Sequence, residues 1–379
     1  MNLPLDIITN ILSHLPVKSL LRFKSVSKSW YSLINDQKFI KSHLNRAIEG
    51  NNINIMIRHS YLSTIDYDSS FDIAKDIDYP FKTSIYGVEI LGSCNGLVCI
   101  SPDEDVYCVW NPCTKEYRKI PDTPIDFPPG QFLSFVRTMC HGFGYDETRG
   151  EYKLVRIANI DDDGSDVKVY SVGRNSWKKV QDVPYYILYK RQLGVFVNGC
   201  LHWAATRGYE SDSKVIASFD LVEEVFKEVA LPDFEDDDEF HMNVDVLGGS
   251  LCLLRNVYPV RVEGWVMKTY GVKDSWTKLF CISQQTIVGS FEYLLPLCYF
   301  RSDSRLLMLK DGKELRVYDL VSGKAKTLQI RGIPDWFEAE TYIGSLVSLN
   351  SGTYVGQKQA QGRRRRREQR SNNVSFGLL

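Results

Sequence analysis

The feature that most constrains this chain is a pair of aromatic or apolar anchors that returns about every fifty residues. Trp110 to Tyr117 is the first pair, and Tyr170 to Trp177, Phe219 to Phe226, Tyr270 to Trp276 and Tyr318 to Ala325 follow. The second anchors stand at 117, 177, 226, 276 and 325, so the intervals are 60, 49, 50 and 49 residues. The one long interval contains a proline-rich insertion at 121–130. Each pair flanks a short polar or glycine-containing turn, which reads as strand, turn, strand. Upstream of the pairs a second hairpin is expected at Ser93-Cys94-Asn95-Gly96, Phe143-Gly144-Tyr145-Asp146, Val197-Asn198-Gly199-Cys200, Leu247-Gly248-Gly249-Ser250 and Arg301-Ser302-Asp303-Ser304. Asn-Gly and Gly-Gly suit the left-handed dihedrals of tight hairpin turns. Each repeat is therefore two hairpins, or four antiparallel strands.

Four-stranded units at that period predict a ring of blades, a kelch-like β-propeller. Packing between adjacent blades accounts for the anchors, so they are not read as a ligand box. Ile53–Ile57 and Leu62–Asp66 alternate like strands, and Tyr342–Leu349 is another apolar strand. Because a ring must close, both ends of the chain are expected to supply one composite blade. Six blades is the preferred count and five the alternative.

The first 46 residues have a different period. Leu3, Ile7, Ile8, Ile11, Leu12 and Leu15 recur at helical spacing, Pro4 suits a first turn, and Pro16 ends the segment. Further short helices are expected through Leu20–Phe23 and from Ser25, three in all. The runs Leu3-Pro4-Leu5-Asp6-Ile7-Ile8, Ile11-Leu12-Ser13-His14-Leu15-Pro16-Val17-Lys18-Ser19-Leu20 and Ser25-Val26-Ser27-Lys28-Ser29-Trp30 resemble the F-box. That resemblance implies docking onto a Skp-type adaptor and, through it, a cullin and a RING subunit. By motif position Leu3 and Pro4 would enter the adaptor groove, supported by Ile8, Leu12, Leu15, Pro16 and Leu20. Ile7, Ile11, Val26 and Trp30 are read as packing among themselves.

The body resembles the F-box-associated interaction domain of plant F-box proteins. The carriers are Gly92-Ser93-Cys94-Asn95-Gly96-Leu97-Val98, Trp110-Asn111-Pro112, Gly142-Phe143-Gly144-Tyr145-Asp146 and Asn198-Gly199-Cys200-Leu201-His202-Trp203. The family implied is one of substrate receptors, some acting in immune-receptor turnover and others in pollen self-incompatibility. The short head and basic tail are nearer the defence-regulator type. The expected organisation is α+β and multidomain: a three-helix F-box at 1–46, a linker with the first strands of the closing blade at 47–89, an all-β propeller at 90–352 and a disordered basic tail at 353–379.

Charge divides the same way. Residues 1–46 carry seven Lys or Arg against two Asp, and 355–379 carry seven against one Glu; with a total of −1, the intervening body is near −12. The run Arg363, Arg364, Arg365, Arg366, Arg367 is a nuclear-import candidate, giving an expected location in nucleus and cytoplasm. Nucleic acid is disfavoured as a partner by the acidic body. No run of 18 apolar residues is present, so no membrane span is expected. The nine cysteines lack a C-x-x-C pair and read as buried thiols of a reducing compartment.

The six histidines fall in no metal-ligand spacing, and no nucleophile elbow, P-loop or dinucleotide motif is present. No catalytic residue, metal ligand or cofactor is therefore assigned, and Glu235–Glu239 is read as a solvated acidic loop. In a four-stranded blade the A–B and C–D turns share one end, and the B–C and D–A connections share the other. The second set is long here, and loops on a rigid ring carry specificity. Substrate-binding candidates there are Phe127, Phe135, Tyr185, Tyr186, Tyr189, Arg191, Tyr258, Arg261 and Trp336. The expected function is a non-catalytic substrate receptor of a Skp–cullin–F-box ubiquitin ligase that captures a protein target. The alternatives are a kelch-type enzyme with a copper site at the propeller centre, and a scaffold that binds the adaptor without ubiquitylation.

Overall fold

The computed structural model describes residues 4–66, 72–82, 87–103, 106–127, 136–160, 164–188, 193–208, 211–236, 238–283 and 291–349. Four helices open it: α1 (Leu5–Ser13), α2 (Val17–Phe23), α3 (Lys28–Ile34) and α4 (Gln37–Glu49). Pro4 and Pro16 stand at the N-caps of α1 and α2, where a missing N–H conflicts with no helical bond. Ser27 caps α3 by accepting from the Trp30 N–H, and Asp36 caps α4 by accepting from Lys38 and Phe39. The fourth helix corrects the expectation of three. Asp36 starts it, and Phe39, His43, Leu44 and Ala47 form its buried face, carrying the helical head past residue 46 to Glu49.

From Ile53 onward the chain is built of strands, which among the described residues form five sheets. Four are separate antiparallel units of four strands. One joins Glu338–Ile343 from the far end of the chain to Ile53–Arg58, Leu62–Ile65 and Lys75–Asp76; the others span 89–120, 241–283 and 294–327. The fifth has nine strands, because the four-strand meanders 136–179 and 193–229 are fused, with Tyr186–Ile187 added. Leu193 and Gly194 pair in parallel with His141 and Gly142 across that junction. A Cβ would lie 2.9 Å from the Trp203 ring at Gly142 and 2.4 Å at Gly194. Only glycine lets both strands close over that indole. The separate four-stranded sheets thus number four, rather than the six or five expected.

Glu89–Cys94, Val136–Asp146, Leu193–Val197, His241–Leu247, Leu294–Phe300 and Glu338–Ile343 pack each on the next, and the last returns to the first. The circle closes where Glu338–Ile343 runs antiparallel to Ile53–Arg58. That closing strand precedes the one expected at 342–349, and residues 344–349 continue without strand pairing. Apolar clusters fill the spaces between sheets, as where Trp110, Ile100 and Cys108 meet Met56, Leu62 and Tyr342.

The anchors face one another across the outer hairpins: Trp110 with Tyr117, Tyr170 with Trp177, Phe219 with Phe226 and Tyr318 with Ala325. Trp276 instead faces Met267, because the turn at 268–275 is long. Tyr270 lies in that turn, with its hydroxyl 2.7 Å from His202 Nε2. One hairpin is also displaced. The strand runs on through Phe143–Asp146, and the turn falls at 147–150, ending on Gly150 at φ 66°.

Candidate functional site

Two surfaces at opposite ends of the propeller carry the sequence candidates. At the end with the short turns, the head is seated on the body. Val17, Leu20, Leu12, Ile34 and Phe39 form one apolar cluster with Leu346, against which Cys113 packs, and Lys18 pairs with Asp66. Beneath it, buried Asn111 donates its amide to the carbonyls of Ser345 (3.2 Å) and Val347 (2.7 Å) and accepts from the N–H groups of Cys113 and Thr114. Arg118 donates to the Leu349 carbonyl, and the Leu349 N–H donates to Glu116.

Helix α1 has two apolar stripes, and this seating decides which is buried. Leu12 (1% exposed) faces inward with half-buried Ile8 and Leu15, and Leu20 of α2 is fully buried. Leu12 and Leu20 are therefore core residues rather than adaptor contacts. The adjoining stripe is open: Ile7 is 44% and Ile11 50% exposed, and Pro4, Leu5, Val26 and Tyr31 are exposed as well. Ile7, Ile11 and Val26 are not packed internally as expected, whereas Trp30 is, edge-on to Phe23 at 5.5 Å. Pro16 is exposed, and Leu3 lies outside the described residues.

At the long-connection end the candidates separate into pinned and free. Tyr185 packs on Ala205, Val215 and Ala217, and Tyr186 pairs in strand with Thr206, so this connection is a sheet element rather than an open loop. Arg261 is held by Asp236, Asp238 and Glu263. Arg255, 1% exposed, pairs with Asp236 and Glu263 and stacks on Phe234 and Phe240. The acidic run is thus partly folded onto two arginines rather than simply solvated; the Arg255 hydrogen bond holds the Asp236 carboxyl at about 2. Phe127, Tyr258 and Trp336 are exposed. Phe135, Tyr189, Arg191 and Arg363–Arg367 lie outside the described residues.

Sequence reasoning missed Tyr293, His59 and Gly312, which surround Trp336. Asp311 and Gly312 both have positive φ (51° and 65°) in the turn between Arg305–Lys310 and Glu314–Asp319. Its Asp-Gly dipeptide was the available signal. Asp311 Oδ1 accepts from the N–H groups of Glu292 (2.8 Å) and Tyr293 (3.0 Å), and the Phe337 N–H donates to the Gly312 carbonyl at 2.7 Å.

Among the described residues no three His, Cys, Asp or Glu side chains are grouped to hold a metal. Desolvation lowers His141 to about 3 and His202 to about 4, so both rings are neutral at physiological pH. All nine cysteines are free thiols, seven of them buried. No described helix is long and apolar enough to cross a membrane.

The family model for the F-box domain matches residues 1–42, and that for the F-box associated beta propeller domain matches residues 48–349. Relatives from Arabidopsis thaliana align along nearly the full length. F-box protein CPR1 is 34% identical, covering 95% of this chain and 93% of its own. A second F-box protein is 31% identical over 91% of this chain and 90% of its own. An F-box/kelch-repeat protein is 28% identical over 92% of this chain and 96% of its own.

Proposed function

Since the chain belongs to the F-box proteins that carry an F-box-associated propeller, we propose that it is the substrate-recognition subunit of a Skp–cullin–F-box ubiquitin ligase. In this reading it supplies no catalytic group. It holds a protein target near a conjugating enzyme, and the rate gain comes from effective concentration. The observation that carries the proposal is the second apolar stripe of α1. Ile7 and Ile11, with Leu5, Val26 and Tyr31, remain exposed although the head has packed its other face. Exposed apolar side chains one helical turn apart on a small module, as Ile7 and Ile11 are, mark a protein-docking surface. Leu3, Pro4, Ile8, Leu15 and Pro16 would border it.

The long-connection end faces away from the head, which leaves it open to a target while the adaptor is bound. Immune-receptor turnover is proposed as the pathway on the sequence resemblance alone, and nuclear import through Arg363–Arg367 on charge alone; a reporter fused to 353–379 that stays cytoplasmic would remove the latter. The main test is affinity capture of the full chain from cells. The wild type should recover a Skp-type adaptor and a cullin, and Ile7→Asp with Ile11→Asp should recover neither. Equal recovery by the variant would overturn the assignment of this stripe.

A further inference from the structure

A sheet edge presents a row of unpaired backbone N–H and C=O groups, and natural sheets blunt it with short strands and charges, lysine above all. Five of the outermost strands here follow that rule. Lys75–Asp76, Tyr117–Ile120, Ser176–Lys179, Val225–Val229 and Lys324–Thr327 are two to five residues long, and each carries two charged side chains. Trp276–Ser283 does not follow it. It has eight residues and a single charge, Lys278, and among the described residues only Arg261–Met267 pairs with it. Lys278 is already neutralised by Glu263 at 3.5 Å and lies over the Trp265 ring at 5.0 Å. Thr277 and Leu279 are half-buried and Cys281 is exposed, so the edge reaches solvent.

What lies beside this edge selects its occupant. The connection from Ala230 to Asp236 runs along the strand. Ala230 accepts from Trp276 Nε1 (2.9 Å), Asp233 pairs with Lys273, Glu235 approaches Lys278 (3.9 Å), and Asp236 pairs with Arg261, whose strand partner is Ser283. Asp233, Glu235, Asp236, Asp238, Glu239 and Glu263 outnumber Arg255, Arg261, Lys273 and Lys278 there, while Asp212 and Lys214 offset each other. The Asp233 and Glu235 side chains are 83% and 85% exposed, so their carboxylates remain open to a partner. A register shift sets Lys278 opposite Trp265 and Cys281 opposite Glu263, which puts both on the face with this acidic connection. Phe280 and Ile282 fall on the other face, packed with Leu294, Leu306 and Met308.

We propose that the free edge of Trp276–Ser283 receives an extended segment of the protein target as an added strand, with Lys or Arg on the side of the acidic connection and apolar residues on the other. This deepens the substrate-receptor reading and rests on it. The unpaired backbone row requires an extended chain. Side chains alternate across a strand, so the two unlike flanks ask for basic and apolar residues in a period of two. The negative flank favours the cations and repels an acidic segment. Two bodies near −12 repel each other, so a second copy is the poorer occupant. Ser283 and Arg261 lie at the long-connection end, away from the head, so a bound adaptor leaves that part of the edge open.

The test uses the full chain bound to a Skp-type adaptor, panned against a displayed library of random dodecapeptides. Enriched peptides are synthesised and titrated by fluorescence anisotropy, and hydrogen–deuterium exchange is read with and without them. Peptides in which Lys or Arg alternates with apolar residues should be enriched, and their binding should slow exchange of the 277–283 amides. Asp233→Lys with Glu235→Lys should weaken that binding at least about tenfold. No enrichment above background overturns the proposal, as do acidic winners, unchanged 277–283 amides in the bound complex, or equal binding by the charge-reversed variant. A free chain that is dimeric by light scattering, with those amides already slow, gives the edge to a second copy and overturns it too. Adaptor retention and thermal unfolding are read on the variant; if it does not fold, exchange in the wild type decides alone. If peptide binding fails while the adaptor is retained, this edge is not the site and the ligase reading stands. If wild type fails to bind the adaptor, the ligase reading falls and this proposal with it.

Discussion

The two ends of the propeller differ in how their polar groups are used. Under the head, Asn111, Glu116 and Arg118 meet the backbone of 345–349 bond for bond, and Lys18 meets Asp66. At the other end the pinned elements, Tyr185–Ile187 and the Arg255–Arg261 ion network, contrast with Phe127, Tyr258 and Trp336, which remain exposed. One end is closed by folding, whereas the other leaves large aromatic side chains at the surface. Aromatic content alone does not mark a recognition surface; what matters is whether folding has already used it.

The comparison can be broken most forcefully inside α1. Leu12→Ala empties a fully packed site and should cost about 3 kcal/mol, melting the head in a denaturant titration. Ile11→Ala, one residue away on the open stripe, should stay within about 0.5 kcal/mol of wild type. Similar losses from both would mean that the two stripes are not distinct. Next is Asn111→Ala, which orphans buried carbonyl and N–H groups and should cost about 2 kcal/mol. Proteolysis should then nick the 344–349 segment first; unchanged resistance would show that the seat does not depend on Asn111.

A smaller effect separates the pinned from the free aromatics. Tyr185→Ala should lower stability by about 1 kcal/mol through lost packing on Ala205, Val215 and Ala217, whereas Trp336→Ala should stay within about 0.5 kcal/mol. The reverse order would exchange their roles.

The smallest effect is a pH slope. Burial raises Asp245 to about 7 and Glu340 to about 8, above the 3.8 and 4.5 of free carboxyls. Raised native values mean that the folded state binds more protons than the unfolded, so stability falls as pH rises through them. Buried His141 and His202 act oppositely, but only below about pH 6.5. Between pH 6.5 and 8 the melting temperature should therefore drop, and Asp245→Asn with Glu340→Gln should flatten that drop. A parallel slope in the double variant would remove these carboxyls from the account.

What was legible in the sequence follows from the range of the interactions. Trp110 with Tyr117 and Tyr170 with Trp177 face each other across a few residues, so their spacing declared the outer hairpins. The fusion of two meanders depends on Gly142, Gly194 and Trp203, and no local pattern announces that contact. In α1, Ile7, Ile8, Ile11 and Leu12 are all apolar, so periodicity could not say which stripe faced inward; α4 and Leu346 decide it from a distance. Tyr185 and Tyr186 had the composition of a binding loop, yet pairing with Ala205–Thr206 made them structural. Arg261 has the position of a substrate-binding residue in a long connection, yet its partner Asp236 lies 25 positions away, beyond the reach of local pattern.

The division of labour between the ends is tested most directly by hydrogen–deuterium exchange of the full chain with and without a purified Skp-type adaptor. Binding should protect amides from α1 to the start of α3, 5–31, while amides at 258–261, 311–313 and 336–337 exchange as in the free protein. Protection of those distant amides with α1 unchanged would contradict it, because the adaptor would then occupy the surface assigned to the target.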